Sequence, residues 1–260
     1  MKESTLFAEE RRYEIVKLLD ASGKLLITSL CEKFDVSPAT IRSDLRALEQ
    51  KGLLKRTHGG AIPARNAAFE LATRAKEVER IDEKRRIAAH AATLVKDGDT
   101  IIIDTGTTTM ELAKLLTEKA NIKVVTNDIK ITLFLEEHTN FEIFLLGGML
   151  RRDYHCAMGA TAIRQIRDLN VDKAFIGVNA LSVEKGFSTP SLELANVKKA
   201  MMSAATTTIF LIDSQKLDRV SFAQIAGIDE ADVLITDTGA DESFINRAKA
   251  ESKHLDIVVV

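Results

Sequence analysis

Tryptophan is absent from the 260 residues and tyrosine occurs only twice, so stacking of bases or sugar rings on aromatic platforms has little material to draw on. Cysteine is as scarce. Cys31 and Cys156 lie far apart and form no metal-ligand spacing, which points to reduced packing thiols rather than a disulfide framework or a metal site. No apolar run approaches the roughly 18–20 residues that cross a bilayer. The opening stretch MKESTLFAEERRYEIV places acidic residues where an export signal needs apolar ones. The expectation is a cytoplasmic protein with no membrane contact, no metal and no organic cofactor. Internal repeats and low-complexity segments are also missing.

What is present is ordinary for a globular chain: 45% hydrophobic and 28% charged residues, in a length that suits one large or two unequal domains. The net charge of −2 hides an uneven distribution. Residues 1–65 hold 12 Lys and Arg against 9 Asp and Glu, and residues 33–65 hold 7 against 3. A small basic module followed by a larger acidic one is therefore expected.

The first helix carries Ile15, Leu18 and Leu19 at helical spacing, with Gly23 as its stop. A brief second helix has Leu30, Cys31 and Phe34 on one face. After the tight turn DVS, Ser37 is placed to cap a third helix and Pro38 to occupy its first turn, where the missing N–H costs nothing. Gly52 ends it. LLKRTHGGAI then alternates around a Gly-Gly turn, as a two-stranded wing does. The boundaries read as residues 1–61 for this module, 62–80 for a linker, and 81–260 for the rest. Beyond residue 98 the pattern changes to short, wholly apolar runs at 100–104, 122–127, 141–148, 173–180, 207–213, 232–237 and 255–260, mostly separated by helix-length segments. That reads as a parallel sheet buried on both faces in an α/β domain.

On the third helix, Ile41, Leu45 and Leu48 form one apolar stripe that faces a core. The other side carries Ala39, Thr40, Arg42, Ser43 and Arg46. By itself this could be a solvated face. The short preceding helix, the tight turn, the local positive charge and a wing bearing Lys55, Arg56 and His58 favour a helix-turn-helix that reads double-stranded DNA through small residues and arginines. Candidate DNA contacts are these residues together with Ser37.

In TIIIDTGTTTMELAKLL a strand passes into a helix through Asp104, Gly106, Thr107, Thr108 and Thr109. Backbone N–H groups at a helix start, close approach at glycine and added hydroxyls suit a phosphate. The spacing fits neither a Walker loop nor a dinucleotide fingerprint. Polar residues recur at other strand ends: Thr126 and Asn127, Gly147 and Gly148, Gly177 and Asn179, Asp213 and Lys216. Ligands of open α/β sheets collect there. A plain turn at Gly147-Gly148 and a surface ion pair at Asp213 and Lys216 are the alternatives.

RRYEIVKLL, VSPATIRSDLRALEQKGLLKRTHGGA, DTGTTT, TND, LLGGMLRR and LIDSQK, in this order over nearly the whole chain, resemble the DeoR family of bacterial transcriptional regulators. The resemblance implies a winged helix-turn-helix joined to a larger α/β sugar-phosphate-sensing domain, in a repressor of a carbohydrate uptake or catabolism operon that leaves its operator when a phosphorylated sugar binds. It further implies a homodimer or homotetramer. Ser43 stands where the family has a second arginine, and Arg46, one turn on, is placed to take over that contact. Asn179 replaces a frequent Asp, and Leu194 replaces a frequent Glu with Glu193 adjacent.

The sensing segments also resemble ribose-5-phosphate isomerase, which raises an enzyme as the alternative. Sugar-phosphate isomerisation needs a positioned carboxylate base. Here GVNAL occupies the strand end where the isomerase has its acidic cluster, and Lys198 falls at the position of its catalytic Glu. Binding without turnover is expected, with Lys198 among the effector contacts.

Overall fold

In the computed structural model, residues 7–22, 24–57, 59–63 and 73–260 are described. The chain divides into two compact units, residues 1–69 and 70–260.

The first unit runs α1 (Ala8–Ser22), β1 (Leu25–Leu26), α2 (Ile27–Phe34), α3 (Pro38–Gln50), β2 (Leu54–Thr57) and β3 (Gly60–Pro63). Ile15, Val16 and Leu19 of α1, Leu30 and Phe34 of α2, and Ile41, Leu45 and Leu48 of α3 are buried together. Asp35 between α2 and α3 adopts the left-handed conformation, and its neighbour Val36 donates back to the Cys31 carbonyl at 3.3 Å. That closes the tight turn. Beyond α3 the chain reverses at Gly52 (φ 72°), where Leu53 N–H returns to the Leu48 carbonyl. β2 and β3 pair antiparallel with Thr57 opposite Gly60, and β1 adds to the outer side of β3. The wing is thus three-stranded, one strand more than the sequence suggests.

The second unit begins with α4 (Thr73–Val78), inside the stretch expected to be linker, and α5 (Ile81–Thr93). It continues β4 (Thr100–Ile103), α6 (Thr107–Leu115), β5 (Lys123–Thr126), α7 (Ile129–His138), β6 (Glu142–Leu145), β7 (Met149–Arg151), β8 (Cys156–Met158) and α8 (Ala160–Arg167). There follow β9 (Val171–Gly177), β10 (Ala180–Ser182), β11 (Gly186–Thr189), α9 (Leu192–Ala204), β12 (Ala205–Leu211), β13 (Ala223–Ala226), β14 (Val233–Thr236), α10 (Glu242–Glu251) and β15 (Asp256–Val259).

Seven strands form one wholly parallel sheet in the order β15-β14-β12-β9-β4-β5-β6. They are the seven apolar runs read from the sequence. Both faces are covered: Ile101 and Ile103 pack with Ile87, Leu112 and Ile131 of α5, α6 and α7, whereas Ile102 between them packs with the layer of Ile166, Met201 and Phe244 from α8, α9 and α10. Alternate residues face opposite layers, so the central positions of the inner strands are apolar on both sides. Each such side chain adds about 1.5–3 kcal/mol on burial. Strand order reverses direction between β4 and β9, and a crevice opens beyond the carboxyl ends of those two strands.

Candidate functional site

In the first unit, α3 presents Ala39, Arg42, Ser43 and Arg46 as exposed residues, with Thr40 half-buried. Ser37 caps the helix: its Oγ accepts from Thr40 N–H at 3.2 Å and lies 2.9 Å from Thr40 Oγ1. Both hydroxyls are therefore occupied at the helix start. Lys55 and Arg56 are exposed on β2. Arg56 donates from its backbone and its Nε to the Glu49 carboxylate at 2.9 and 2.5 Å, which holds Glu49 below the usual carboxylate range and ties the wing to α3. His58 lies outside the described residues.

Sequence reading passed over Asp44. It sits inside the apolar stripe, 1% exposed, and accepts from Arg11 Nε at 2.6 Å and Arg12 Nε at 2.8 Å. The signal was available: a carboxylate three residues after Ile41 on a core-facing stripe needs a cation, and α1 supplies consecutive arginines.

In the second unit, a small cleft of about 60 Å³ occupies the reversal point of the sheet. Thr105 and Gly106 after β4, and Gly177, Val178 and Asn179 at the end of β9, form its base. Thr107, Thr108 and Thr109 line it from the start of α6, whose N-cap Gly106 has no side chain to occupy the first amides. Thr109 turns its hydroxyl back to the Gly106 carbonyl at 2.9 Å. Asn179 Oδ1 accepts from Thr189 Oγ1 at 2.9 Å, and both belong to the wall.

Lys198 reaches the cleft from α9, its ammonium held by Asp104 Oδ2 and by the Gly177 carbonyl at 2.9 Å. Asp104 stands behind it, fully buried, and burial pushes its carboxyl up against the pull of Lys198. Lys216 lines the other side and pairs with Asp213 Oδ2 at 2.8 Å. Against the upward push of burial, Lys216, Lys84 and Arg80 hold Asp213 below the usual carboxylate range.

Six expected contacts do not line the cleft: Asp104 and Asp213, which pair with Lys198 and Lys216, and Thr126, Asn127, Gly147 and Gly148. Thr126 and Asn127 are fully buried below the end of β5, where Thr126 Oγ1 accepts from Asp128 N–H at 3.1 Å and Asn127 Nδ2 donates to the Ala157 carbonyl at 3.0 Å. Gly147 N–H is taken by Gln165 Oε1 at 2.8 Å. Gly148 has φ 149°, and a Cβ there would lie 2.5 Å from the Met158 carbonyl oxygen. That glycine serves the close passage of β7 beside β8.

The cleft also has residues the sequence did not single out: Lys76, Arg151, Tyr154, Cys156 and Thr189. Lys76 comes from α4. Arg151, Tyr154 and Cys156 come from the β7–β8 hairpin, with the Arg151 guanidinium 3.7 Å from the centroid of the Tyr154 ring. Burial pushes the Cys156 thiol up to about 11, so it is a neutral wall atom at physiological pH. Behind α4, buried Lys84 donates to the Lys76 carbonyl and to the Glu79 carbonyl at 2.6 Å. Arg80 Nη2 reaches Ser214 Oγ at 3.1 Å and Asp237 Oδ2 at 2.8 Å. These bonds fix the segment that carries Lys76. Among the described residues, four cations (Lys76, Arg151, Lys198, Lys216) line the cleft and no carboxylate does.

A winged helix-turn-helix unit together with a doubly wound α/β unit holding a cationic cleft are the parts of a transcriptional regulator with a sensor domain. Residues 11–66 match the DeoR-like helix-turn-helix domain and residues 79–238 the DeoR C terminal sensor domain. The chain belongs to the DeoR family. It is 38% identical to the HTH-type transcriptional regulator GlpR of Haloferax volcanii, over 96% of each chain. It is 35% identical to the HTH-type transcriptional repressor GlcR of Bacillus subtilis, over 92% of each, and 33% identical to the transcriptional repressor AccR of Agrobacterium fabrum, over 89% of this chain and 90% of that one. Among solved structures, ribose 5-phosphate isomerase A of Methanocaldococcus jannaschii aligns with a TM-score of 0.41 at 19% identity, covering 54% of this chain and 55% of that one. Among the described residues no helix is long and apolar enough to cross a membrane.

Proposed function

We propose that this regulator binds operator DNA through the exposed face of α3 and the wing, that its cleft binds a phosphorylated sugar, and that the bound sugar releases the DNA. On this reading it represses an operon for carbohydrate uptake or catabolism until the effector accumulates. The observation that carries the effector assignment is the charge of the cleft wall: four cations, the uncapped start of α6 and three threonines converge, with no lining carboxylate among the described residues. Such a site favours a phosphate dianion. The same absence supports binding over isomerisation, because proton abstraction beside a carbonyl needs a base within reach of the substrate.

One short recognition helix gives limited affinity, so the working form is taken as a homodimer or homotetramer on half-sites about 34 Å apart or multiples of that. The effector shifts a population between arrangements that match and do not match this spacing, which requires it to bind one arrangement more tightly.

The test is a thermal-shift screen against phosphorylated sugars, with the unphosphorylated sugars as controls. A ligand specific for the folded state at a hundred times its Kd adds about 2.7 kcal/mol, or roughly 5–10 °C in a domain of this size. A shift confined to phosphorylated compounds supports the reading. No shift with any of them, or equal shifts with the free sugars, overturns it.

A further inference from the structure

An ammonium has three N–H donors and no acceptor. At Lys198, whose side chain is 4% exposed, Asp104 Oδ2 takes one and the Gly177 carbonyl takes a second. The two acceptors stand at the ends of β4 and β9, the strands on either side of the sheet's reversal point. Asp104 Oδ2 is itself fixed by Gly177 N–H at 3.0 Å. The ammonium is therefore locked between two strand ends, and its third N–H is left for the cleft it lines. A buried charged donor without an acceptor is costly, so a ligand that supplies an oxygen there gains more than a solvent-exposed lysine would return. A carbonyl or carboxylate oxygen accepts directly. A hydroxyl must also place its own proton, and the ammonium cannot receive it.

We propose that Lys198 is the specificity-determining residue of the cleft, and that it selects phosphorylated sugars bearing a carbonyl or carboxylate oxygen away from the phosphate over the matching phosphorylated polyols. Asp104 is the positioning residue that aims its ammonium. The phosphate itself is seated by the start of α6 and by Lys216. The inference rests on the phosphosugar reading above, and its test separates the two.

Binding to the full chain is measured by calorimetry with inorganic phosphate and with an aldose phosphate, an aldonic acid phosphate and an alditol phosphate of one chain length. The parent protein should bind the first two sugar derivatives about tenfold or more tighter than the alditol phosphate. Lys198→Met should erase this ranking, costing the aldose and aldonic acid phosphates at least about tenfold more affinity than it costs inorganic phosphate, which loses one cation of the cleft but keeps Lys216 and the start of α6. Asp104→Asn should reduce the ranking without touching inorganic phosphate, a split that a merely structural role would not produce. The double variant Asp104→Asn/Lys198→Met removes both buried charges together and guards against misfolding of either single change. Its inorganic phosphate binding reports an intact sensor unit, and it too should lack the ranking. Phosphosugar binding without ranking in the parent, ranking that survives Lys198→Met, or parallel loss of inorganic phosphate would each overturn the assignment of Lys198 while leaving the phosphosugar reading standing. Failure of every phosphorylated compound to bind the parent would overturn both.

Discussion

Asp44 joins α3 to α1 through two arginines in a nearly dry setting. Asp44→Ala removes the carboxylate that Arg11 and Arg12 share, Arg12 keeping its pair with Glu9, and should lower the stability of the helix-turn-helix unit by about 3 kcal/mol in urea unfolding. An unchanged midpoint would mean that α1 and α3 hold together without it. Arg42 is of the opposite kind, exposed on α3. If it meets a DNA phosphate, Arg42→Ala should weaken operator binding and reduce the slope of log K against log salt by about 0.9. Equal slopes in parent and variant would place it off the DNA backbone. Lys84 yields a pH prediction. Burial first, then nearby Lys216, lowers its ammonium from 10.5 to about 8. Between pH 8 and 10.5 the unfolded chain holds a proton there that the folded chain has shed, so this group makes stability rise with pH across that window. Cys156, raised to about 11, acts in the opposite sense above pH 9. The stability difference between the parent and Lys84→Met cancels that contribution, and should move in favour of the parent by on the order of 2–3 kcal/mol from pH 7.5 to 10.5. A flat difference would show that Lys84 titrates normally.

Elements differ in how much of them the sequence discloses. The seven sheet strands were legible from their short apolar runs; the central ones, such as Ile101–Ile103, Phe175–Ile176 and Ile209–Leu211, are apolar because they are buried on both faces, whereas the edge strand β6 is largely exposed. α3 was legible from both ends, through Ser37-Pro38 and Gly52. Ser37→Ala, which removes the Oγ acceptor of Thr40 N–H, should cost about 1 kcal/mol of stability and weaken operator binding, measured by unfolding and gel shift together. The hairpin β7–β8 and the strands β10, β11 and β13 were not legible. They are three or four residues long, antiparallel, and stabilised by what they lie against: Gly148 by the Met158 backbone, β11 by its stack of Phe187 on Phe210. The cleft inherits this split. Its base of Thr105-to-Thr109 and Asn179 follows strands that could be read, whereas Arg151, Tyr154 and Lys76 arrive on elements that could not. Thr126 and Asn127 were expected at the ligand because they end a strand, but β5 lies one strand away from the reversal point. β4 and β9 flank it, and β12 on the other side of β9 adds Leu211 and, just past its end, Lys216.

For the molecule as a whole, membership of the DeoR family fixes the pairing of a DNA-reading unit with a sensor unit. The account's central claim is that occupation of the cleft controls the other unit's hold on DNA. The direct measurement is a gel-shift titration of the operator complex with the phosphosugar that most stabilises the protein, run on the parent and on Lys216→Ala. Lys216 belongs to the cleft wall, in the sensor unit. The account predicts that the parent releases DNA as the sugar is added, and that Lys216→Ala binds DNA with parental affinity but needs at least about tenfold more sugar for release, the loss expected of one charge-assisted phosphate contact. Parent and variant releasing DNA at the same sugar concentration, or a parent that binds the sugar and keeps its DNA, would contradict it.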